Sequence, residues 1–597
     1  MVPSKSQSEL LLDLFSNVFL DLTLKYPSLS KSFARDILTL EARVSCEGIS
    51  FLTKTLPKLG KAFESALETT QLYVPREFQR SHENRTIPAF LQGMFSWCFD
   101  EMGYLVEVEA DVVKDIRQIL FLAYRVEFSY SQEDEAAVLQ SFLDNEDALF
   151  NQTFDDDLIS ASALIVEEVL RDFDPRDIIP RHGPGAVATG EKVEEKWEFS
   201  RLYNRIHQKF PYYEYFVVGR GNELIDRIDW YRSLAREDSG VAKVVLVPKD
   251  SRGPRLISCE PLEYQWIQQG IGRKLMRHLE RNYLTKGHVN FSDQSINRNL
   301  ALTSSEDRAY CTIDLKDASD LVSLKLVRSL FPKEIYECLE AARTTATKFP
   351  DGRVIPLQKF APMGSALCFP VEALCFWALA VASISQDGGI SLKRAAQQVF
   401  VYGDDIIVPS CYMMPVFRAL TSCSLRVNES KSFRTGYFRE SCGVDAYKGI
   451  DVTPVKVRTF WSGKPSDGSA YASYVSYANS FRFRGYENAS LYLWKCIEDL
   501  YGKVPYGTSD APYPCRVTST KWRALFENIK LGFKLRSCAD THVVQIRATF
   551  LKTKVVGSVL DGWPRLLRDL TMPSERDPSE VALPRSAKLK RGWRRLF

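Results

Sequence analysis

Residues 399–410 read VFVYGDDIIVPS, and this stretch decides the fold. β-Branched and aromatic residues stand on both sides of a central Gly403-Asp404 pair, which is typical of two strands joined by a two-residue turn. Glycine accepts the positive φ of such a turn, and Pro409 is expected to end the second strand. The pattern therefore predicts a buried hairpin with Asp404 and Asp405 at its tip.

Two adjacent carboxylates repel each other, and each raises the pKa of the other unless a positive charge neutralises them. A hard divalent cation does so, because Mg²⁺ prefers carboxylate oxygens and keeps waters or substrate phosphates as its other ligands. The alternative is a solvated turn, since Gly-Asp-Asp is common in turns. This stretch alone leaves both interpretations open.

A second acidic stretch, CTIDLKDASD at 311–320, favours the metal interpretation. The apolar run before Asp314 predicts that this residue ends a strand. Asp320 falls just past the turn into a helix, and Asp317 lies between them, facing solvent. A strand-end aspartate and a hairpin-tip aspartate can face each other across adjacent strands. Such a pair would hold two metal ions roughly 3.5–4 Å apart, which clamp the attacking and leaving oxygens of an in-line displacement.

Phosphoryl transfer at such a site also needs cationic groups on the phosphates. Residues 241–261 read VAKVVLVPKDSRGPRLISCEP, which predicts a strand, a basic turn and a second strand. Lys249, Arg252 and Arg255 lie in or beside this turn and could supply those charges. The alternative is an exposed basic turn without a ligand.

The composition is that of a soluble globular chain of several domains: 597 residues, 45% hydrophobic and 26% charged. The net charge is only +3, so any nucleic-acid binding must come from local basic patches. The 13 cysteines form no CxxC pair and the six histidines are scattered, which argues against a zinc site and fits a reducing cytoplasm. No stretch reads as long and apolar enough to span a membrane, so we expect no membrane partner.

The order of predicted elements divides the chain into three regions. Residues 1–240 are mainly helical and begin with an amphipathic helix in SELLLDLFSNVFLDLTL. Residues 241–460 contain strands, helices and the hairpin, and this order suits an antiparallel sheet with helices on one face. Residues 461–597 contain an aromatic-rich helical segment, expected to be separate, and a basic tail. The fold class is therefore predicted to be α+β.

Six strings that cover about 245–458 resemble, in the same order, the motifs of a known family. They are VPKDSRGPRLISCEP, FSDQSINRNLA, TIDLKDASDLVSL, PMGSALCFPVEALCFWA, VYGDDIIVPS and FRESCGVDAYKGIDVTP. On these strings the chain is similar to the RNA-dependent RNA polymerases, or replicase catalytic β subunits, of the positive-strand RNA bacteriophages (leviviruses). The resemblance implies a right-hand polymerase. Residues 1–240 would include part of the fingers, 241–460 the fingers and palm with a catalytic domain at about 300–432, and 461–597 the thumb and C-terminal region.

The resemblance also implies a role for each motif residue. Three carboxylates would bind two Mg²⁺ ions, for which Mn²⁺ can substitute: Asp314, Asp404 and Asp405. It assigns three cations to the finger motif that holds the incoming triphosphate: Lys249, Arg252 and Arg255. Lys431 matches the basic residue after the hairpin, which would protonate or electrostatically stabilise the pyrophosphate leaving group.

The sugar-recognising positions follow from the same resemblance. Gly364 and Ser365 open the second palm motif, where they would touch template and ribose, although the best-known relatives have Asn where Ser365 stands. Asp320 could accept a hydrogen bond from the 2′-OH, and Ser365 could hold Asp320 or the hydroxyl itself. The alternative for Asp320 is that it caps the following helix.

These implications predict an RNA-directed RNA polymerase that copies a phage single-stranded RNA genome from ribonucleoside triphosphates in the cytoplasm of the bacterial host. Its expected partners are RNA template and product, together with host translation elongation factors Tu and Ts and a large ribosomal protein. A reverse transcriptase is the nearest alternative, but it typically has an apolar residue where Gly403 stands. A non-catalytic RNA-binding protein on the same fold is the other alternative. It predicts the loss of the motif carboxylates, all of which are present.

Overall fold

The structure, a computed structural model, describes residues 6–127, 129–218, 225, 227–557, 560–571, 580–582 and 587–597. It combines helices with small sheets whose strands pair mostly antiparallel. The predicted α+β class is therefore confirmed.

The first region is mainly helical, as predicted. Its first helix, Gln7–Lys25, begins with a capping box in which the side chains of Ser6 and Glu9 accept each other's backbone N–H. The apolar face of that helix is fully buried, including Leu14 and Val18. The helices of this region are Gln7–Lys25, Ser30–Glu47, Leu56–Thr69, Gln92–Cys98, Ala110–Phe121, Gln132–Leu149, Asp156–Leu170, Asn204–Lys209, Tyr212–Tyr215 and Ile228–Ser233, with a π-helical turn at Phe51–Thr55. Its strands are Arg201–Tyr203 and Ala235–Glu237.

The middle region alternates helices and strands. The helices are Leu262–Leu279, Ser295–Asp307, Ala318–Leu321, Leu324–Leu330, Lys333–Ala341, Cys368–Gly388, Leu392–Ala396 and Met413–Ser422. The strands are Ala242–Asp250, Gly253–Cys259, Tyr310–Ile313, Leu315–Lys316, Ala346–Lys348, Val354–Pro356, Phe400–Tyr402, Asp405–Pro409, Arg426–Val427, Phe438–Ser441, Val444–Tyr447 and Ile450–Asp451.

Three of these strands form what we call the central sheet. Asp405–Pro409 lies in the middle and pairs antiparallel with Tyr310–Ile313 on one side and Phe400–Tyr402 on the other. Helices Ser295–Asp307 and Cys368–Gly388 contact its strands. The prediction of an antiparallel sheet supported by helices is confirmed, and this sheet positions the acidic motifs.

One helix departs from the expectation that no stretch could span a membrane. Cys368–Gly388 is long and apolar enough by length and composition, with a mean hydropathy of 1.7 over its most apolar window. Yet 89% of that window is buried inside the protein, as in the core helix of a globular fold. Its apolar character is explained by packing against other helices, among them Asp156–Leu170 and Met413–Ser422.

The last region holds helices and three small sheets among its described residues. The aromatic-rich segment forms two helices rather than one, and they meet at Gly485, whose φ is +88°. The helices are Gly468–Phe483, Glu487–Tyr501, Lys521–Lys530 and Gly562–Thr571. The strands are Tyr506–Gly507, Arg516–Val517, Leu535–Ser537, Val544–Lys552, Val555–Gly557, Glu580–Ala582 and Lys588–Arg595. The expected basic tail is thus a strand over most of its length.

The aromatic helices are not separate from the rest of the chain, contrary to expectation. They share one hydrophobic core with the helices of residues 7–126. The contact is specific, because the Asp21 carboxylate accepts hydrogen bonds from Asn488 and from the backbone of Ala489. A second core lies around helix Cys368–Gly388. The three region boundaries drawn from the sequence stay a prediction.

Candidate active site

The hairpin has the predicted geometry. Tyr402 pairs with Asp405, which leaves Gly403 and Asp404 as the two turn residues. Gly403 has a φ of +63°, and a Cβ there would collide with the ring of Phe369. Pro409 is the last residue of the second strand. The turn therefore requires glycine both for its backbone conformation and for its contact with Phe369.

Asp314 directly follows strand Tyr310–Ile313, as predicted. Its carboxylate accepts a hydrogen bond from the Asn428 side chain at 2.6 Å and lies 3.8 Å from the ammonium of Lys431. Burial raises the pKa of Asp314, and the nearby carboxylates of Glu440 and Asp404 act in the same direction, while Lys431 and Asn428 oppose them. Asp314 and Asp404 thus interact electrostatically across the central sheet.

Asp405 points elsewhere. Its carboxylate accepts a hydrogen bond from the backbone N–H of Cys442 at 3.1 Å, and it does not belong to the lining of the cavity described next. Burial and the charge of Asp404 raise the pKa of Asp405 to about 7. The side chains of the adjacent pair are therefore directed to different surroundings, with only Asp404 open to the cavity.

A cavity of about 1910 Å³ lies in front of the central sheet. It brings together nine of the ten site residues expected from the sequence, all except Asp405: Lys249, Arg252, Arg255, Asp314, Asp320, Gly364, Ser365, Asp404 and Lys431. Eight of these residues come from four of the quoted strings, and Lys431 comes from the segment after the hairpin. The cavity is thus the place where the motifs converge.

The basic turn forms one wall of this cavity. Strands Ala242–Asp250 and Gly253–Cys259 pair antiparallel around it, as predicted. Arg252 donates to the Asp250 carboxylate at 2.7 Å, so it is partly neutralised within the turn. Burial and the neighbouring Arg255 lower the pKa of Lys249, because both disfavour its charged form. An anion such as a phosphate would relieve that repulsion.

Lys431 reaches the cavity through a segment that runs beside the strand of Asp314. The backbones of Thr312 and Phe433 exchange two hydrogen bonds, and Arg426–Val427 pairs with Leu315–Lys316. This pairing places Lys431 next to Asp314. The nearby Glu440 carboxylate raises the pKa of Lys431, so the lysine is held in its charged form.

Gly364 and Ser365 have structural roles at the cavity wall. Gly364 has a φ of +123°, and a Cβ there would collide with the carbonyl oxygen of Ser258. The hydroxyl of Ser365 donates to the Gln268 side chain at 3.1 Å and accepts from the backbone N–H of Leu367. The idea that Ser365 holds Asp320 is therefore wrong, because its single hydroxyl proton is donated to Gln268.

Asp320 is held by a residue that the sequence analysis missed. The buried ammonium of Lys359 donates to the Asp320 carboxylate at 2.8 Å and lies 3.2 Å from Glu146. Asp320 sits within the short helix Ala318–Leu321, and the next helix is capped by Ser323, whose hydroxyl accepts from Leu326. The helix-cap alternative for Asp320 is therefore wrong.

Glu372 is a second residue that the sequence analysis missed. It lines the cavity from helix Cys368–Gly388, and burial together with the charge of Asp404 raises its pKa to about 8. A signal was present in the sequence, because Glu372 is the only charged residue between Cys368 and Ser385. A carboxylate in so apolar a helix is rarely buried without a partner or a function.

The structure contains no preassembled cluster of metal ligands in its described ranges. Among the residues that it describes, no three His, Cys, Asp or Glu side chains are grouped closely enough to hold an ion. It does provide the pair Asp314 and Asp404 at the same cavity, with mutually unfavourable charge.

Comparisons with known proteins identify the family of the chain. Residues 137–465, more than half of the chain, match the family model described as RNA replicase, beta-chain. The chain belongs to this family. The matched range contains all ten of the expected site residues.

Individual relatives carry the same kind of name. The chain is 32% identical over 323 residues to the RNA-directed RNA polymerase subunit beta of Qbeta virus (strain MX1), which covers 53% of this chain and 51% of the relative. It is 38% identical over 280 residues to the subunit beta of Enterobacteria phage SP, 47% of this chain and 46% of the relative. It is 36% identical over 224 residues to the RNA-directed RNA polymerase beta chain of Escherichia phage MS2, 38% of each. The matches thus span about half or less of these relatives.

Among solved structures, the RNA-dependent RNA polymerase of a human picorbirnavirus is similar with a TM-score of 0.39 and 11% identity. That similarity covers 62% of this chain and 75% of the other.

Proposed function

We propose that this chain is an RNA-directed RNA polymerase, the catalytic subunit that replicates a phage single-stranded RNA genome. The observation that carries the proposal is the convergence of nine expected site residues from five separate stretches of sequence in one cavity, with carboxylates on one wall and a basic turn on another. This is the arrangement that nucleotidyl transfer from a triphosphate to an RNA 3′ end requires.

Each wall has a distinct task in this proposal. Lys249 and Arg255 bind the triphosphate, whose negative charge relieves their mutual repulsion. Arg252 contributes less to that charge, because Asp250 already neutralises it in part. Lys431, held charged beside Asp314, stabilises the pyrophosphate as it leaves.

The carboxylate pair is suited to Mg²⁺ in its donor chemistry. Asp314 and Asp404 offer hard oxygen ligands to the cavity, and the burial of Asp314 together with the nearby charge of Asp404 makes the unneutralised charge of Asp314 unfavourable. When bound there, two Mg²⁺ ions, or Mn²⁺ in their place, would supply charge neutralisation for the attacking and leaving oxygens. Asp405 interacts electrostatically with both carboxylates but is directed toward the backbone of Cys442, so we propose it only as a secondary ligand that would have to turn toward the cavity.

Asp320 is proposed to recognise the ribose. Lys359 is fully buried and also lies over the Phe142 ring at 3.5 Å, so it fixes the Asp320 carboxylate from behind. The second face of that carboxylate remains open to the cavity, where it can accept a hydrogen bond from a 2′-OH.

The wider setting is proposed from the relatives. Two of them are named subunit beta, which supports a complex with other subunits. Host translation elongation factors Tu and Ts and a large ribosomal protein are the proposed partners, and the host cytoplasm is the proposed compartment.

The decisive experiment is nucleotide incorporation on a defined RNA template by the purified chain, first alone and then with host extract. Incorporation of ribonucleotides that depends on Asp404 supports the proposal. Incorporation of deoxynucleotides in preference would support a reverse transcriptase instead. RNA binding without any incorporation, in both conditions, would support a non-catalytic RNA-binding protein.

A further inference from the structure

The C-terminal part of the chain is rich in positive charge, and it lies outside the range that the family model matches. Residues 531–597 contain 14 Lys and Arg against six Asp and Glu, whereas the remaining 530 residues contain 64 against 69. The overall charge of +3 therefore hides a strongly basic C-terminal segment attached to a slightly acidic remainder.

Much of this charge lies on one small sheet. Strand Val544–Lys552 pairs antiparallel with Leu535–Ser537 on one side and with Lys588–Arg595 on the other. None of the three strands contains an acidic residue. The sheet is therefore a cationic surface by composition.

The two faces of the sheet differ. The inner face buries Ile546, Ala548 and Phe550 in a small hydrophobic core. Because side chains alternate along a strand, the residues between them point to the other face. The register places Arg547 opposite Trp593 and Thr549 opposite Arg591 on this outer face.

We call the outer surface the basic face. Its members are exposed cations around one half-buried tryptophan: Lys534, Arg536, Arg547, Arg591, Trp593 and Arg595. The Arg536 guanidinium lies 4.4 Å from the centre of the Trp593 ring. At the far end of the same face Leu551 and Leu589 pack against Gly468, so that end is covered. The open part carries the charges.

The cations of the basic face have no carboxylate partner within 4 Å among the residues that the structure describes. They also lie outside the lining of the catalytic cavity. A cluster of unpaired like charges around an aromatic ring is unfavourable in the free protein and becomes favourable when a polyanion binds.

We propose that the basic face binds single-stranded RNA outside the catalytic cavity. Phosphates would contact the arginines and Lys534, while an unpaired base would stack on Trp593 or on the Arg536 plane. A duplex keeps its bases inside the helix and could use only the charges. The tryptophan among the arginines therefore favours a single strand as the ligand.

The test compares two variants with equal change in charge. Arg547→Glu/Arg591→Glu reverses two charges of the basic face. Lys588→Glu/Lys590→Glu reverses two charges on the same sheet. By their register, both lysines belong to the inner face and not to the basic face. Binding of a fluorescent single-stranded RNA of about 12 nucleotides and of a matched RNA duplex is measured by anisotropy over a range of salt concentrations.

We expect the basic-face variant to bind the single strand about 10-fold more weakly, with a salt slope reduced by about 1.4, since two phosphate contacts are lost. The Lys588/Lys590 control should stay within about twofold of the wild type. Trp593→Leu should weaken binding of the single strand and leave the duplex unchanged, and Trp593→Phe should restore it. Single-nucleotide extension of a short hairpin template should be unchanged in every variant, which separates this test from the proposed catalysis.

Several results would overturn the proposal. They are an unchanged affinity and salt slope in the basic-face variant, an equal loss in the control, or an equal loss for the duplex. Loss of binding to vesicles of anionic lipid with RNA binding intact would point to a membrane ligand and would also overturn it. If the charge-reversed protein does not fold, Arg547→Gln/Arg591→Gln serves in its place, with the same reduction in salt slope of about 1.4 expected, because it removes the same two phosphate contacts.

Discussion

The cavity in front of the central sheet and the basic face both concentrate cationic side chains, but these side chains differ in their surroundings. Lys431 and Arg252 in the cavity lining, and Lys359 behind Asp320, each lie within 4 Å of a carboxylate, and Lys359 is fully buried. On the basic face, arginines such as Arg547 and Arg591 are exposed and have no such partner. Buried pairs fix the position of a group, because separating them leaves an uncompensated charge. Exposed unpaired cations instead attract a polyanion with little geometric demand. In the proposed roles, paired cations hold groups in position at the cavity, where Lys249 and Arg255 bind the triphosphate, whereas the exposed cations of the basic face capture RNA.

The largest effect should come from the carboxylate at the hairpin tip. Asp404→Asn should lower nucleotide incorporation by about 10³-fold or more, because it removes charge where the reacting oxygens are clamped. Fold and RNA binding should stay nearly intact, as the basic face is untouched. The matched control is Asp317→Asn, an exposed residue at the same cavity.

Asp405→Asn should be milder than Asp404→Asn, because its carboxylate contacts the backbone of Cys442 rather than the cavity. Substantial incorporation by a well-folded Asp404→Asn protein would show that the cavity is not the catalytic site.

The second effect concerns the buried pair Lys359–Asp320. Asp320→Ala should lower the ribo-to-deoxy ratio of kcat/KM by about 10- to 100-fold, because the site loses the acceptor for the 2′-OH. The control is Ser323→Ala, which removes a real helix cap and should cost about 1 kcal/mol of stability without changing the ratio. If the ribo-to-deoxy ratio of kcat/KM is unchanged in Asp320→Ala, then Asp320 does not recognise the ribose.

The third effect concerns the basic turn, whose cations face the cavity and can bind phosphates. Lys249→Ala or Arg255→Ala should raise the KM for all four nucleotides together, each by about 10-fold, since phosphate contacts carry no base information. Lys243→Ala is the matched control, because Lys243 is exposed on the same strand and does not line the cavity. A change confined to one nucleotide would contradict this role.

The smallest effect is a pH dependence of stability from Glu372. Its pKa is raised from 4.5 to about 8 in the folded protein, so protonation favours the folded state. The stabilisation is fully present below pH 4.5 and is lost as the pH rises toward 8 and beyond. In the presence of EDTA, the wild-type melting temperature should therefore fall by a few degrees between pH 6 and 9 relative to Glu372→Gln. Parallel pH profiles of the two proteins would show that Glu372 does not titrate in this range.

Much of the cavity could be predicted from the sequence, because its parts are local. The hairpin around Gly403 and the strand end at Asp314 follow from short apolar runs and a turn pair. The direction of Asp405 could not be predicted, since it depends on Cys442, which lies 37 residues further on. The role of Lys359 could not be predicted for the same reason, because its partner Glu146 is 213 residues away and no local pattern indicates the pair.

The shared core of the first and last regions could not be predicted either. Each amphipathic segment shows that it has an apolar face, but periodicity does not reveal which other face covers it. The same limit applies to the basic tail, whose strand pairing with Val544–Lys552 depends on a partner about 40 residues earlier.

The contact between Asp21 and Asn488 has a consequence for synthesis on the ribosome. The helix Gln7–Lys25 emerges first, yet its cover in helix Glu487–Tyr501 is made more than 460 residues later. At about 5–20 residues per second, that interval lasts roughly half a minute to a minute and a half. Throughout this interval, the apolar side of the first helix is not yet covered by its final partner. During that time the nascent chain could bind a chaperone or aggregate.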